Sequence, residues 1–384
     1  MHRTPARLFK LWALLLLSAA AMSAQTGGQQ ALRSLALPRP AAFSIDYFQG
    51  YRLVTVKSAW PGSKDSYSYL LVDRGSAKPA ATVFAKARRI ETPVRRVISF
   101  STSYLPAISA IGEAASIVGL DSAAYVYDPS IRARAAAKTL AELSPNGMPD
   151  LERIVALSPD AVFTYGVGSE WDTHPKLIEA GLPVILDGEW NEADPLARAE
   201  WAIFIAAFYN KEDAALAHYR EVEKRYLDLK ARAAAARTPA PKVLNNGPFQ
   251  GTWYVSGGES FMARLLSDSG ARYLWADSKG TGGLALTVEA AYQRALGATV
   301  WLNPAYGMRK ITDVVALDTR FASLPVITSG NVWNNDRRVS EAGGNDYFES
   351  AVTRPDEVLR DLVAIFHPEL LPNHSFTWYQ KLDR

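Results

Sequence analysis

The residues of this chain that could carry out chemistry are few. It has five histidines, His2, His174, His218, His367 and His374, and no cysteine. A bare metal ion needs about three or four converging His, Asp or Glu ligands. His218 lies in a helical stretch, His367 and His374 lie near the C-terminus, and only His174 falls in a loop after a strand-like run. That distribution argues against a bare-ion site. The lack of cysteine excludes disulfides and thiolate-held metals or clusters, and sets the expectation of a chain with no lipid anchor. No G-x-S-x-G elbow, P-loop or G-x-G-x-x-G fingerprint stands in a strand-to-helix context. Lys279-Gly280-Thr281-Gly282-Gly283 is glycine-rich but does not run into a helix, and reads as a flexible turn. No catalytic set, resident metal or cofactor is expected; an exported enzyme and a protein that binds a metal ion directly are the alternatives.

Aromatic side chains are plentiful instead, with 10 Trp, 17 Tyr and 14 Phe. Such rings offer wide contact area and lose little rotamer entropy when a ligand covers them. Tyr104, Tyr125, Tyr127, Tyr165, Trp171 and Trp190 follow strand-like runs in the first half of the chain. Trp253, Tyr254, Trp333 and Phe348 take comparable places in the second half. Each could equally be core. Trp253 and Tyr254 are neighbours on a strand and point to opposite faces, so only one of them can face a cleft. Trp201 sits in an apolar helical run and reads as core. Arg337 and its neighbour Arg338 could offer an anionic ligand a fork of donors, or form a plain surface pair beside Asp336 and Glu341.

The elements that must position these side chains are legible from their periods. Arg3, Arg7 and Lys10 precede the short apolar run Leu11–Met22, with small residues at Ala21, Ser23 and Ala24. That order predicts a signal peptide over residues 1–24, cleaved after Ser23 or Ala24. The run is too short to span a bilayer. Residues 25–95 hold a leader and a β-hairpin-like extension, with strands at Tyr51–Val56 and Tyr67–Val72 around the turn-rich Pro61–Asp65. Strand and helix patterns then alternate over residues 96–209, which argues for βα units and a parallel sheet. Over residues 210–237, Tyr219, Val222, Tyr226 and Leu229 recur at helical spacing, and Thr238-Pro239-Ala240-Pro241 ends the helix. The βα pattern restarts over 238–384, with strands expected at Lys242–Asn245, Trp253–Ser256, Val300–Leu302 and Val326–Ile327. The fold class is α/β: two Rossmann-like βα lobes with parallel sheets, joined by one long helix and preceded by the extension. A net charge of +3 with no basic block makes nucleic acid a poor partner.

Several segments together carry a resemblance. They are Arg96–Ser101, Ile117–Asp121, Ala180–Val184 and, most specifically, Leu151-Glu152-Arg153-Ile154-Val155-Ala156-Leu157-Ser158-Pro159-Asp160-Ala161-Val162-Phe163, with an echo at Ala295–Val300. On these the chain, from about Arg96 to Pro372, resembles the substrate-binding proteins of iron-chelate and vitamin B12 ABC importers. Their two lobes are joined by one rigid helix. The resemblance implies an exported periplasmic protein, monomeric, that captures a metal chelate between its lobes and delivers it to a permease dimer. A ferric siderophore or related iron complex, a haem-like ligand and a corrinoid such as cobalamin all suit an aromatic cleft. It also implies one surface glutamate per lobe that docks on the permease: Glu259 in the second lobe and, with a looser alignment, Glu170 in the first. The extension before Arg96 lies outside the domain shared by that family.

Overall fold

The computed structural model describes residues 30–39, 42–144 and 147–384. The expected signal segment, residues 1–24, lies outside them. Among the described residues no helix is long and apolar enough to cross a membrane.

The extension is more than a hairpin. Strands β1 (Arg33–Ser34), β2 (Phe43–Phe48), β3 (Tyr51–Val56), β4 (Tyr67–Asp73) and β5 (Arg88–Thr92) form one sheet in that order, antiparallel except for the β4–β5 pair. Alternation along β2 and β3 sends Phe43, Ile45, Val54 and Val56 inward. There they meet the apolar helix Pro195–Ala207, with the Phe43 ring 5.0 Å from Trp201 and 5.5 Å from Phe204. Arg52, buried, bonds Glu212 at 2.9 Å, Thr92 at 3.0 Å and the Ala207 carbonyl at 3.1 Å. A buried ion pair of this kind must satisfy both partners to be tolerated. The sheet therefore shares one core with the lobe that follows.

That lobe is a parallel sheet of β6 (Val97–Ser99), β7 (Ile117–Leu120), β8 (Ala141–Glu142), β9 (Ala161–Thr164) and β10 (Val184–Leu186), in the order β10-β9-β6-β7-β8. Strands buried on both faces read as apolar runs, which is why Ala161-Val162-Phe163 lacks alternation. The segment 151–163 folds as its sequence suggests. Asp150 caps the helix Leu151–Ala156 by accepting the Arg153 N–H at 3.1 Å, and Ser158 turns the chain with φ +46 before β9 starts.

The linking helix runs from Glu212 to Ala234, about 35 Å at 1.5 Å per residue. Tyr219, Val222, Tyr226 and Leu229 are all buried. They pack between the helix Pro195–Ala207 of the first lobe and the helix Pro355–Phe366 of the second. Arg225 holds Asp356 at 2.6 Å and Tyr226 donates to Asp268 at 3.0 Å, fixing the helix to the second lobe.

Eight strands build the second lobe: β11 (Lys242–Asn245), β12 (Pro248–Phe249), β13 (Thr252–Ser256), β14 (Arg272–Tyr273), β15 (Gly283–Thr287), β16 (Val300–Leu302), β17 (Val332–Asn334) and β18 (Gln380–Lys381). β14-β11-β16-β17 are parallel and β18 closes the edge antiparallel. Two expectations are corrected. Trp253–Ser256 is a strand, but of a separate antiparallel sheet, β12-β13-β15, not of the parallel one. Val326–Ile327 belongs to a short helix, Pro325–Ser329, because Pro325 takes the first helical position, where its missing N–H is harmless.

Candidate functional site

The carboxyl ends of β6, β7, β9 and β10 converge on a hollow of about 420 Å³ in the first lobe. Ligands of open parallel sheets sit outside strand carboxyl ends, so this is the expected place for one. Local hydrogen bonding sets the turns that carry the wall residues. After β6, Ser101 caps a short turn by accepting the Ser103 N–H at 3.3 Å, and Ser99 donates to the Ser101 carbonyl at 2.7 Å. This turn delivers Tyr104, whose buried ring packs 6.4 Å from Phe163. Burial, and then the nearby Asp187 and Glu189, push its phenol well above its ordinary pKa, so it stays a donor. After β7, Ser122 caps the turn 123–125 and presents Tyr125, while Glu142 accepts the Ala123 N–H at 2.8 Å.

After β9, the loop bearing Tyr165 and Val167 folds back on Asp172, which accepts the Val167 and Gly168 N–H groups at 3.0 and 2.9 Å. After β10, Asp187 accepts the Glu189 N–H at 2.9 Å and so sets the turn that presents Glu189 and Trp190. Asp187 is fully buried, and burial together with the Glu189 charge holds its carboxyl well above the usual range. Glu189 pairs with Arg198. The Trp190 indole N–H is buried without a partner.

The second lobe meets the first beside this hollow at Gly344 and Glu349. The Glu349 carboxylate accepts the Tyr127 N–H at 2.7 Å and the Asp128 N–H at 3.0 Å. Gly344 lies so near that a β-carbon there would be 2.5 Å from the Val126 carbonyl oxygen. Arg338 bonds Asp346 at 2.6 Å with its guanidinium 4.9 Å from the Tyr127 ring centroid. At the carboxyl ends of the second lobe's strands stand carboxamides. Asn303 donates to Asn245 at 3.0 Å and itself accepts the Asn335 N–H at 3.0 Å. Asn246 and Asn303 hold φ +63 and +56, a conformation asparagine tolerates better than most residues.

The structure therefore brings Tyr104, Tyr125, Tyr165 and Trp190 to one wall. Tyr127 lies just beyond it, in the contact between the lobes. The other expected contact residues stand elsewhere, and of them only Trp253 is corrected outright. Trp253 is fully buried, stacked 5.5 Å from Trp301 and 5.4 Å from Phe321, so it is core. Tyr254, on the opposite face of β13, is exposed and borders no part of this hollow. Trp333 lies on β17 itself. Its ring packs 4.9 Å from Phe376 and lines a different hollow, of about 810 Å³, beside Thr299 and Asn331 at the amino ends of β16 and β17. Trp171 is 83% exposed, and Phe348 and Arg337 are exposed too; none of them lines the wall.

His174 is buried against Trp60, ring centroids 5.4 Å apart, and burial lowers its pKa. Among the described residues no three His, Asp or Glu side chains gather as a metal site. The wall residues Ser99, Ser101, Asp121 and Glu189 escaped notice in the sequence. Asp121 ends the segment Ile117–Asp121 and Glu189 adjoins Trp190, the only signals that pointed to them. Glu170 lies exposed in the loop after β9. Glu259, also exposed, precedes the cap Ser260 of the helix Phe261–Asp268. It accepts the Gly280 N–H at 2.8 Å and meets Lys279 at 3.2 Å; those partners lower its pKa.

Known proteins resemble this chain, some in sequence and some in fold. The chain is 27% identical over 303 residues to an uncharacterised lipoprotein of Methanocaldococcus jannaschii, covering 77% of this chain and 70% of that one. A second uncharacterised lipoprotein of that organism is 25% identical over 330 residues, with 82% and 80% covered. Among solved structures, the periplasmic heme-binding protein RhuT from Roseiflexus sp. RS-1 aligns with a TM-score of 0.57 and 19% identity, over 72% of this chain and 99% of that one. A possible iron-binding (periplasmic solute-binding) protein from Staphylococcus epidermidis aligns with a TM-score of 0.56 and 15% identity, over 72% and 100%. At such identities the structures establish the fold. The family model for periplasmic binding proteins matches residues 97–336, more than half of the sequence, and the chain belongs to that family.

Proposed function

We propose that this protein is the solute-binding component of an ABC importer. It captures a metal chelate, whether a ferric siderophore, a related iron complex or cobalamin, and passes it to a permease dimer. The observation that carries this reading is the wall of Tyr104, Tyr125, Tyr165 and Trp190 at four strand ends of the first lobe, in a chain whose two lobes are joined by one long helix. Rings of this kind suit the broad, weakly charged surface of a chelate. Solved proteins of this fold named for heme and iron binding support the same ligand class. The protein acts as a monomer and as a binder, not an enzyme: the metal arrives already caged and leaves unchanged. Glu170 and Glu259 are the docking charges for the permease.

We place the mature chain outside the inner membrane, released from its signal peptide and without a lipid anchor. The absence of cysteine from the 384 residues supports the last point, although the archaeal relatives are named lipoproteins. Mass spectrometry of the protein purified natively from the periplasm tests both parts. The expected result is a co-purified metal chelate, recoverable intact, on a chain that begins near Gln25 and carries no lipid. A ligand released chemically altered would make the protein an enzyme.

A further inference from the structure

The hollow in the first lobe distributes charge unevenly. Among the described residues that line it, the charged side chains are Asp121 and Glu189, both acidic; no lysine, arginine or histidine borders it. Glu189 is compensated by Arg198, which bonds its Oε2. Asp121 has no such cation within ion-pair distance among the described residues. In the lobe contact, Arg338 is engaged by Asp346 at 2.6 Å, and on the second lobe Arg309 is engaged by Asp336 at 2.8 Å. The remaining polarity of the wall is neutral. It comes from the phenols of Tyr104, Tyr125 and Tyr165 and from serine and threonine hydroxyls, while the Trp190 indole N–H is buried.

We propose that this site selects chelates whose surface is neutral or cationic and rejects anionic ones, with Asp121 as the group that sets the preference. The proposal rests on the metal-chelate reading above and narrows it. An anionic chelate would give up its hydration for a wall with no base to pair with, beside an acidic side chain. In a partly dry cleft like charges repel more strongly than in water. A chelate with an amide or hydroxamate surface loses nothing there. Its carbonyl oxygens accept from the wall phenols, and a pendant ammonium gains from Asp121. Discrimination then comes from the unfavourable arrangement as much as from the favourable one.

The test compares ligands that share one chelate core and carry tails of opposite charge. A linear ferric trihydroxamate with a free terminal amine is cationic, and the same chelate succinylated on that amine is anionic. The full chain is titrated with both by tryptophan fluorescence at pH 7, alongside neutral cyanocobalamin and haemin with its two propionates. The expected result is that the amine form binds about tenfold or more tightly than the succinylated form. Asp121→Asn, with circular dichroism unchanged, shrinks that ratio severalfold. Raising sodium chloride shrinks it in the wild-type chain too, because screening weakens charge–charge terms; this arm needs no variant to fold. Equal affinity for the two forms, a preference for the succinylated form or haemin, or a ratio untouched by both Asp121→Asn and salt would overturn the charge preference while leaving a chelate binder. If none of the four ligands binds, the metal-chelate reading itself fails and this inference falls with it.

Discussion

Gly166 lies against the face of Trp60: a β-carbon on it would stand 2.6 Å from the indole Cε3, and one on Gly168 would stand 2.7 Å from the indole Nε1. Trp60 comes from the turn between β3 and β4, and Gly166 from the loop that carries Tyr165 and Val167 to the candidate site. Two further contacts repeat the pattern. The Tyr69 hydroxyl accepts the Leu186 N–H at 2.7 Å, and a β-carbon on Gly188 would be 3.2 Å from the Ala59 carbonyl oxygen. The N-terminal sheet thus braces the loops after β9 and β10, which hold Tyr165, Glu189 and Trp190. Gly166→Ala should push the loop off Trp60, since contacts under 3 Å force something to shift. The expected outcome is a loss of ligand affinity of tenfold or more with the melting temperature little changed. Trp60→Ala should cost about 2–3 kcal/mol of folding stability, less than a fully buried tryptophan because the ring is partly exposed. Urea denaturation measures the second. Unchanged ligand affinity in Gly166→Ala would show that the brace does not reach the site.

The two tryptophans expected at strand ends separate in the structure. Trp190 lines the hollow, whereas Trp171 stands almost free in solvent. Trp190→Ala should weaken chelate binding by about 1–3 kcal/mol, as for other anchoring aromatics, and Trp171→Ala should leave it unchanged. Isothermal titration of both variants decides. The reverse result would move the ligand outward onto the loop tip.

Local patterns made much of this fold legible. The linking helix stands out because one stripe of Tyr219, Val222, Tyr226 and Leu229 is buried along its whole length. The unit 151–163 stands out because a cap, a turn and an apolar strand follow one another within a few residues. What could not be read are pairings set by residues far apart. Trp253 belongs to the core because Trp301, on another sheet, stacks on it, and nothing near position 253 reports that. Val326 and Ile327 are as apolar as a strand; only Pro325, one residue earlier, marks them as the start of a helix. Trp60 precedes the turn-rich Pro61–Asp65, and nothing near it in the chain reports that Gly166 and Gly168 lie against its ring. Asp121 and Glu189 were overshadowed by the aromatics around them, although they are the charged groups of the wall.

Glu349 provides a pH test of the contact between the lobes. Its side chain is buried, and burial raises its pKa to about 7 against the pull of the Tyr127 and Asp128 N–H groups; Asp346 and Asp128 add to the rise. A carboxyl raised above its unfolded value contributes stability that is complete below the unfolded pKa, near 4.5, and is lost as pH climbs through the folded value. The native state should therefore weaken by roughly 2 kcal/mol between about pH 4.5 and pH 7 on account of this group. Glu200, raised by burial to about 8, adds a loss in the same direction that extends to higher pH. Glu349→Gln keeps the shape and removes the titration, so its stability curve should be flatter than wild type between pH 5 and 7. Chemical denaturation at stepped pH measures the difference. Parallel curves for the two proteins would mean that the contact opens and leaves Glu349 hydrated in solution.

The docking role proposed for Glu259 and Glu170 can be separated from both folding and ligand binding. Glu259 sits outside the hollow, one residue before the cap of its helix, and its carboxylate is engaged only by the exposed turn at Lys279 and Gly280. Glu259→Arg loses that tether and places a cation beside Lys279. The turn should loosen, while the helix keeps its cap, because Ser260 accepts the Ala263 N–H independently at 3.2 Å. Ligand affinity should stay within about twofold, since no wall residue of the first lobe is touched. Against a permease that presents arginines, the substituted arginine introduces like-charge repulsion where there was attraction, and such reversals slow association most. The expected outcome is a strong loss of chelate uptake by cells and of binding to the permease in detergent or nanodiscs, with Glu170→Arg giving a similar loss from the other lobe. A neutral Glu259→Gln should fall between wild type and arginine and grow less distinct at high salt. Normal uptake by both charge reversals would place the permease on some other face of the protein, and a collapse of ligand affinity in Glu259→Arg would instead bring Glu259 into the binding cleft.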